Sequence, residues 1–219
     1  MSDNEYNPKM LSAKEKLLEK FRAQTQAQIK TEEWDRLPPG QHLTRGFPVL
    51  DLGVRPPIDL KHWRLELTGK VKTPLSLCWD EYRALPRASQ VSDFHCVTTW
   101  SKFDVRWGGV LFQVIAERAG ATPEARFVIA QGAEGYTTNI PLEDCLREDV
   151  LLADELDGHP LPLEHGGPVR LVVPHLYAWK SAKFLRGLRF SAVDEPGFWE
   201  ARGYHSYGDP WRQQRYSDR

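Results

Sequence analysis

The chain is short of sulfur and has no surplus of charge, and both shortages narrow what it can be. Its 219 residues carry two methionines and three cysteines, Cys78, Cys96 and Cys145. The cysteines are odd in number and widely spaced, with no Cys-x-x-Cys pair, so they describe neither a disulfide framework nor a zinc ribbon. A reducing compartment is the simplest setting. Lys and Arg total 29 against 30 Asp and Glu, and no long basic run forms the stripe that nucleic acid requires. Nucleic-acid binding is not expected. Apolar runs such as Val150–Ala153 and Leu171–Val173 fall far short of the roughly 20 residues that span a bilayer, so no stable membrane insertion is expected. Met1 to Met10 is polar and acidic, without a signal-peptide core, and no twin-arginine pair precedes an apolar stretch. The expectation is a soluble, cytoplasmic protein. Internal repeats and low-complexity tracts are also missing.

What is present is ordinary globular composition, 41% hydrophobic and 27% charged, with eight tryptophans adding unusual aromatic surface. The pattern divides into an N-terminal helical extension over 1–36 and one large domain over 37–219. Ser12 and Glu15 form a capping box, and Leu17, Leu18 and Phe21 recur at helical spacing, which predicts a helix running to about Lys30. Residues 37–57 are rich in Pro and Gly and read as irregular. Alternation over Trp63–Thr68 predicts a strand, and Ser76 is placed to cap a helix reaching Leu85, with Cys78 in the core. Val91–Val97 reads as a strand, and Gly108-Gly109 as the lead into a helix over Val110–Ala119 that Gly120 ends. Strands are expected over 126–131, 136–140, 150–156, 159–161, 169–173 and 184–193, with a short helix from Pro141 to Leu146. Strands and helices do not alternate regularly, so the fold class is α+β, with mixed or antiparallel sheets and interspersed short helices. The aromatic tail, Trp199–Tyr216, is expected to clamp onto the body.

Cys96 lies in Asp93-Phe-His-Cys-Val-Thr-Thr-Trp-Ser101 and is the candidate for chemistry. One thiolate without a second Cys or a His-x-His partner makes an incomplete site for a soft metal. It becomes sensible when the remaining ligands come from a cofactor such as molybdopterin, whose dithiolene leaves one position for the protein. Such an anionic organic group needs Arg, Lys, His and backbone N–H donors. The second half of the chain offers them in His165-Gly-Gly-Pro-Val-Arg170 and in Tyr177-Ala-Trp-Lys-Ser-Ala-Lys183. Two other readings stand beside this one. Cys96 could be the nucleophile of a hydrolase or transferase, although His95, adjacent on a strand, points to the opposite face. Alternatively, Cys96 is core and the chain is a non-catalytic protein-binding module.

Several motifs in order resemble the molybdopterin-binding domain of the sulfite oxidase family, and more closely its bacterial branch, which includes the catalytic subunit of protein-methionine-sulfoxide reductase. They are Thr44-Arg-Gly-Phe-Pro-Val49, the Cys96 segment, Trp107-Gly-Gly-Val110, the His165–Arg170 loop and the Tyr177–Lys183 loop. The resemblance implies a sulfite oxidase-type fold. It implies that Cys96 is the molybdenum ligand and that Arg45, Phe47, His165, Arg170, Lys180, Ser181, Ala182 and Lys183 hold molybdopterin. Tyr177 joins Cys96 as a catalytic candidate, with His175 and Asp104 as further possible proton donors. The implied activity is oxygen-atom transfer between molybdenum and a small oxo or sulfoxide-type substrate. The arginines that would grip sulfite after the ligand Cys are replaced by Val97-Thr-Thr-Trp100, which disfavours that dianion. No Cys-x-x-Cys-His haem signature occurs, so a separate electron-transfer partner is expected.

Overall fold

The structure, a computed structural model, describes residues 35–50, 53 and 55–217. The helix expected between Ser12 and Lys30 lies outside them. The chain divides into two compact units, 1–38 and 39–219, and the second carries every element described below.

That unit is built on two sheets. The first joins β1 (His42–Leu43), β4 (Ala88–His95), β5 (Trp100–Leu111), β8 (Leu151–Leu156), β9 (His159–Pro160) and β10 (Arg170–Val172), with β5 and β8 at its centre. The second runs β3 (Leu75–Cys78), β2 (Arg64–Gly69), β11 (Leu185–Ser191), β6 (Phe127–Gly132), β7 (Thr137–Pro141). Two pairings are parallel, β1 with β5 and β2 with β11, and the rest are antiparallel. Short helices α1 (Trp79–Arg83), α2 (Phe112–Ala119) and α3 (Leu142–Cys145) connect them. The mixed-sheet α+β class read from the sequence is the one observed. No helix among the described residues is long and apolar enough to cross a membrane.

Side-chain alternation explains how the first sheet positions the site. Val110, Leu152 and Leu171 face the main core with Leu65, Leu67, Leu188, Ile115 and Phe190. Their strand neighbours Leu151, Ala153 and Val172 point the other way, into a second cluster with Phe94, Trp100, Trp107 and Cys96. Strands buried on both faces read as continuous apolar runs, which accounts for Val150–Ala153 and Leu171–Val173. The Tyr82 hydroxyl donates to Leu152 O at 2.9 Å, and Trp63 Nε1 donates to Leu185 O at 3.2 Å, so these two large aromatics are buried with their polar atoms paired.

Three sequence expectations are corrected here. Ser76 caps no helix: it lies in β3, where its hydroxyl donates to Glu66 across the β2–β3 pair at 2.7 Å, and the helix begins only at Trp79. Cys78, at the junction, is half-buried rather than core. Gly108-Gly109 opens no helix either. Both lie inside β5, at a register shift against β8, and α2 starts at Phe112. A β-carbon on Gly109 would fall 1.9 Å from Leu152 O and 2.8 Å from Ala153 Cα. The close approach of the two central strands is what requires glycine there. Gly109→Ala is therefore expected to destabilise the fold by about 1–3 kcal/mol, an overpacking cost. Thermal unfolding checks this, and an unchanged Tm would show that the β5–β8 backbones separate freely.

Candidate active site

Cys96 follows β4 at the start of a tight turn into β5. Its N–H donates to Trp100 O at 2.9 Å, Thr99 N donates back to Cys96 O at 3.0 Å, and Thr99 takes a left-handed φ of 75° to close the turn. Cys96 is 7% exposed, and its sulfur lies 3.1 Å from Thr98 Oγ1. Burial pushes the thiol pKa up, against the pull of the Thr98 hydroxyl and the Arg215 charge. A buried neutral thiol is a poor nucleophile. The neighbouring His95 ring turns instead to Ser101, with Nδ1 2.8 Å from its Oγ. This geometry speaks against the hydrolase reading, and a bound cation would be needed to ionise the sulfur.

Cys96 opens on a cavity of about 310 Å³ that also reaches Phe47, His165, Arg170, Ser181 and Lys183. His165 closes a 3-10 turn, Leu163–His165, with Phe47 stacked on its ring at 4.5 Å and 25°. Gly166 and Gly167 follow because nothing larger fits. A β-carbon on Gly166 would meet Lys183 Cγ at 2.7 Å, and one on Gly167 would meet Leu161 O at 2.2 Å. Arg170, at the start of β10, donates from Nη1 to His165 O at 2.8 Å and from Nη2 to Ser181 O at 2.9 Å. Its guanidinium lies 5.0 Å from the Phe94 ring centroid and 5.4 Å from that of Trp107. Among the described residues, no hydrogen bond or ion pair joins it to a carboxylate, and burial pulls its pKa down to about 9. Lys183 Nζ donates to Glu164 O at 2.7 Å.

Other expected residues do not reach the cavity. Lys180 is fully buried, because its Nζ is consumed by Glu200 Oε1 at 2.6 Å, Asn139 O at 2.8 Å, Asn139 Oδ1 at 2.9 Å and Ser206 O. It braces the wall without touching what the wall encloses. Ala182 is core, with its carbonyl accepting from Leu171 N at 2.9 Å. Arg45 is exposed and outside the lining. Tyr177 is buried with its ring stacked on Trp179 at 5.2 Å and is also absent from the lining. His175 pairs with Asp144 at 2.8 Å, and Asp104 is exposed on β5. Conversely, Glu134 and Tyr204 line the cavity without any signal in their local sequence, and Trp179, inside the Tyr177–Lys183 motif but not singled out there, lines it as well.

Among the described residues, no group of three or more His, Cys, Asp or Glu could hold a metal ion. A single thiol, the buried Arg170 cation and a second basic side chain in one cavity suit a metal carried by an anionic organic ligand. Glu134 fits the same group: burial pushes its carboxyl pKa up, and its Oε2 is shielded from solvent without a hydrogen-bond partner. Such an acceptor suits the N–H donors of a pterin edge.

The comparisons with known proteins agree. The oxidoreductase molybdopterin binding domain matches residues 52–199, and the chain belongs to that family. It is 48% identical over 189 residues to the uncharacterized oxidoreductase YuiH of Bacillus subtilis (strain 168), covering 86% of this chain and 96% of that one. It is 32% identical over 174 residues to the putative protein-methionine-sulfoxide reductase subunit YedZ1 of Azospira oryzae, covering 78% of this chain and 66% of the relative. Similarity to the protein-methionine-sulfoxide reductase catalytic subunit MsrP of Campylobacter jejuni is 30% over 167 residues, or 56% of that protein. The chain thus spans nearly all of the Bacillus relative and two thirds or less of the other two. Among solved structures, the sulfane dehydrogenase SoxCD of Paracoccus pantotrophus matches with a TM-score of 0.59 and 25% identity, covering 64% of this chain and 40% of that one. The chain is a molybdopterin-dependent oxidoreductase with a sulfite oxidase-type fold.

His165 carries a pH consequence. Burial first, then the Arg170 and Lys183 charges, hold its pKa below the ordinary 6.5. A histidine depressed in the fold supports stability above its unfolded pKa and loses that support as pH falls through the folded value. The cofactor-free protein should therefore lose Tm between pH 7 and pH 5 more steeply than His165→Gln. Parallel melting curves for the two proteins would refute this assignment.

Proposed function

We propose that the chain transfers an oxygen atom to or from a small, weakly charged substrate of the sulfoxide or related oxo class, with Cys96 as the molybdenum ligand. The observation that carries this is one cavity holding both the Cys96 sulfur and the carboxylate-free Arg170 guanidinium. Arg170, His165 and Lys183 would hold the anionic organic part, Phe47 would pack against it through the His165 stack, and Ser181 and Glu134 would line it. When bound, molybdopterin supplies two-electron redox chemistry coupled to oxygen-atom exchange; the protein supplies orientation and electrostatics.

The chain's own residues shape that chemistry. Thr98 Oγ1, 3.1 Å from Cys96 Sγ, can donate to the sulfur once it is a thiolate and so orient it. His165, kept neutral near pH 7, contributes hydrogen bonding without adding a further cation. Besides the Arg170 and Lys183 assigned to the cofactor, the lining includes Phe47, Leu50, Val97, Trp100, Trp199 and Tyr204, an aromatic and apolar wall that limits water and favours a weakly charged substrate. That supports a sulfoxide-like substrate over sulfite, as do relatives named for methionine-sulfoxide reduction.

A separate redox partner is part of the same reading, since the sequence has no haem-attachment motif. Cytoplasmic residence is likewise proposed, supported by the absence of disulfides among Cys78, Cys96 and Cys145. Fractionation with an immunoblot tests this location, and recovery with the periplasmic contents would exclude it.

Stoichiometric molybdenum by mass spectrometry and a fluorescent oxidised pterin are expected from the purified protein. Cys96→Ser should keep its fold and much of its pterin while losing more activity than the roughly 10–100-fold typical of removing a supporting group. Wild-type turnover in that variant would eliminate Cys96 as the ligand. Arg170→Ala should lose molybdenum on dialysis, and undiminished content would remove Arg170 from the cofactor's holders.

A further inference from the structure

The turn that presents Cys96 is gripped by residues from far along the chain. Gln41 Nε2 donates to Cys96 O at 3.1 Å, and Gln41 Oε1 accepts from Ser101 Oγ at 3.4 Å. β1 then continues along the exit of the turn, with His42 N donating to Thr99 O at 2.8 Å and Thr44 N to Ser101 O at 2.9 Å. From the tail, Arg215 Nη1 donates to Val97 O at 2.5 Å, and its guanidinium carbon lies 5.1 Å from the Tyr177 ring centroid. The tail is itself fixed, by the Tyr204–Tyr216 bridge and by His205 N donating to Arg215 O at 3.2 Å. Gln41 and Arg215 both lie outside residues 52–199, the span shared with the family.

The two grips differ in kind. Gln41 is neutral and holds geometry only. Arg215 adds a positive charge that acts on both Cys96 and Tyr177. A cation beside a metal-bound thiolate draws electron density from the sulfur and favours the more reduced, more negative state of the centre. Groups around a ligand tune a metal in this way through charge and hydrogen bonding.

We propose that Arg215 is a positioning residue for Cys96, fixing the ligand turn through Val97 O and raising the reduction potential of the bound molybdenum through its charge. This rests on Cys96 being the molybdenum ligand. The roles separate in two substitutions of the holoenzyme. Arg215→Lys keeps the charge and a donor for Val97 O, whereas Arg215→Gln keeps a donor and discards the charge.

Redox titration followed by electron paramagnetic resonance, with molybdenum content measured on the same samples, provides the test. The expected result is a downward shift of the molybdenum midpoint potential in Arg215→Gln, near-wild-type potential in Arg215→Lys, and kcat about 10-fold lower in Arg215→Gln at similar KM. Equal potentials in the wild type and Arg215→Gln, or equal shifts in both variants, would overturn the electrostatic role. A wild-type protein matured with cofactor yet lacking molybdenum would instead overturn the ligand assignment on which the inference rests.

Discussion

A guanidinium sealed from water without a carboxylate beside it is the constraint on which the site depends. Taking a charge out of water costs several kcal/mol even after the surroundings relax. Arg170 recovers part of that through three backbone carbonyls and two aromatic faces. Those same contacts bind the His165 loop to the Ser181 loop, so one side chain shapes the cavity and leaves it positive. In the proposed reading, an anionic cofactor would supply the missing counter-charge. Binding and local stability are thereby the same interaction viewed from two sides.

Lys180 shows the opposite solution a few residues away. It too is buried, but Glu200 neutralises it, and Asn139 and Ser206 complete its donors. Trp179 Nε1 and Thr138 Oγ1 donate to the same Glu200 oxygen. A cation satisfied within the protein is structural, and one left partly unsatisfied on a cavity wall is available to a ligand. The doubly buried first sheet makes this contrast possible by giving the second cluster its own interior, where Cys96 and Arg170 meet.

Much of this was legible in the sequence where chemistry and spacing coincide locally. Cys96, His165, Arg170 and Lys183 stand in short motifs whose residue types match a thiolate ligand and an anion cradle, and the structure brings all four to one cavity. The strands were legible through alternation and turn residues. What was hidden depends on partners remote along the chain. Nothing near Lys180 announces Glu200 twenty positions later, so its commitment to an ion pair could not be read. Gln41 and Arg215 meet the Cys96 turn across separations of 55 and 118 residues. Gly108-Gly109 misled because a pair of glycines signals a break, whereas here it answers the close passage of another strand.

The long reach of those contacts bears on how the protein comes to exist. β2 pairs with β11 in parallel, and the Trp63 indole bonds Leu185 O across 122 residues, so nearly the whole domain must be made before its second sheet closes. Topologies dominated by distant pairings fold slowly because loop-closure entropy is spent before contacts reward it. The turn bearing Cys96 is local and can form early, but its fastening by Arg215 waits for the last residues of the described chain. A nascent chain that has not yet reached Arg215 therefore has the thiol without its finished socket.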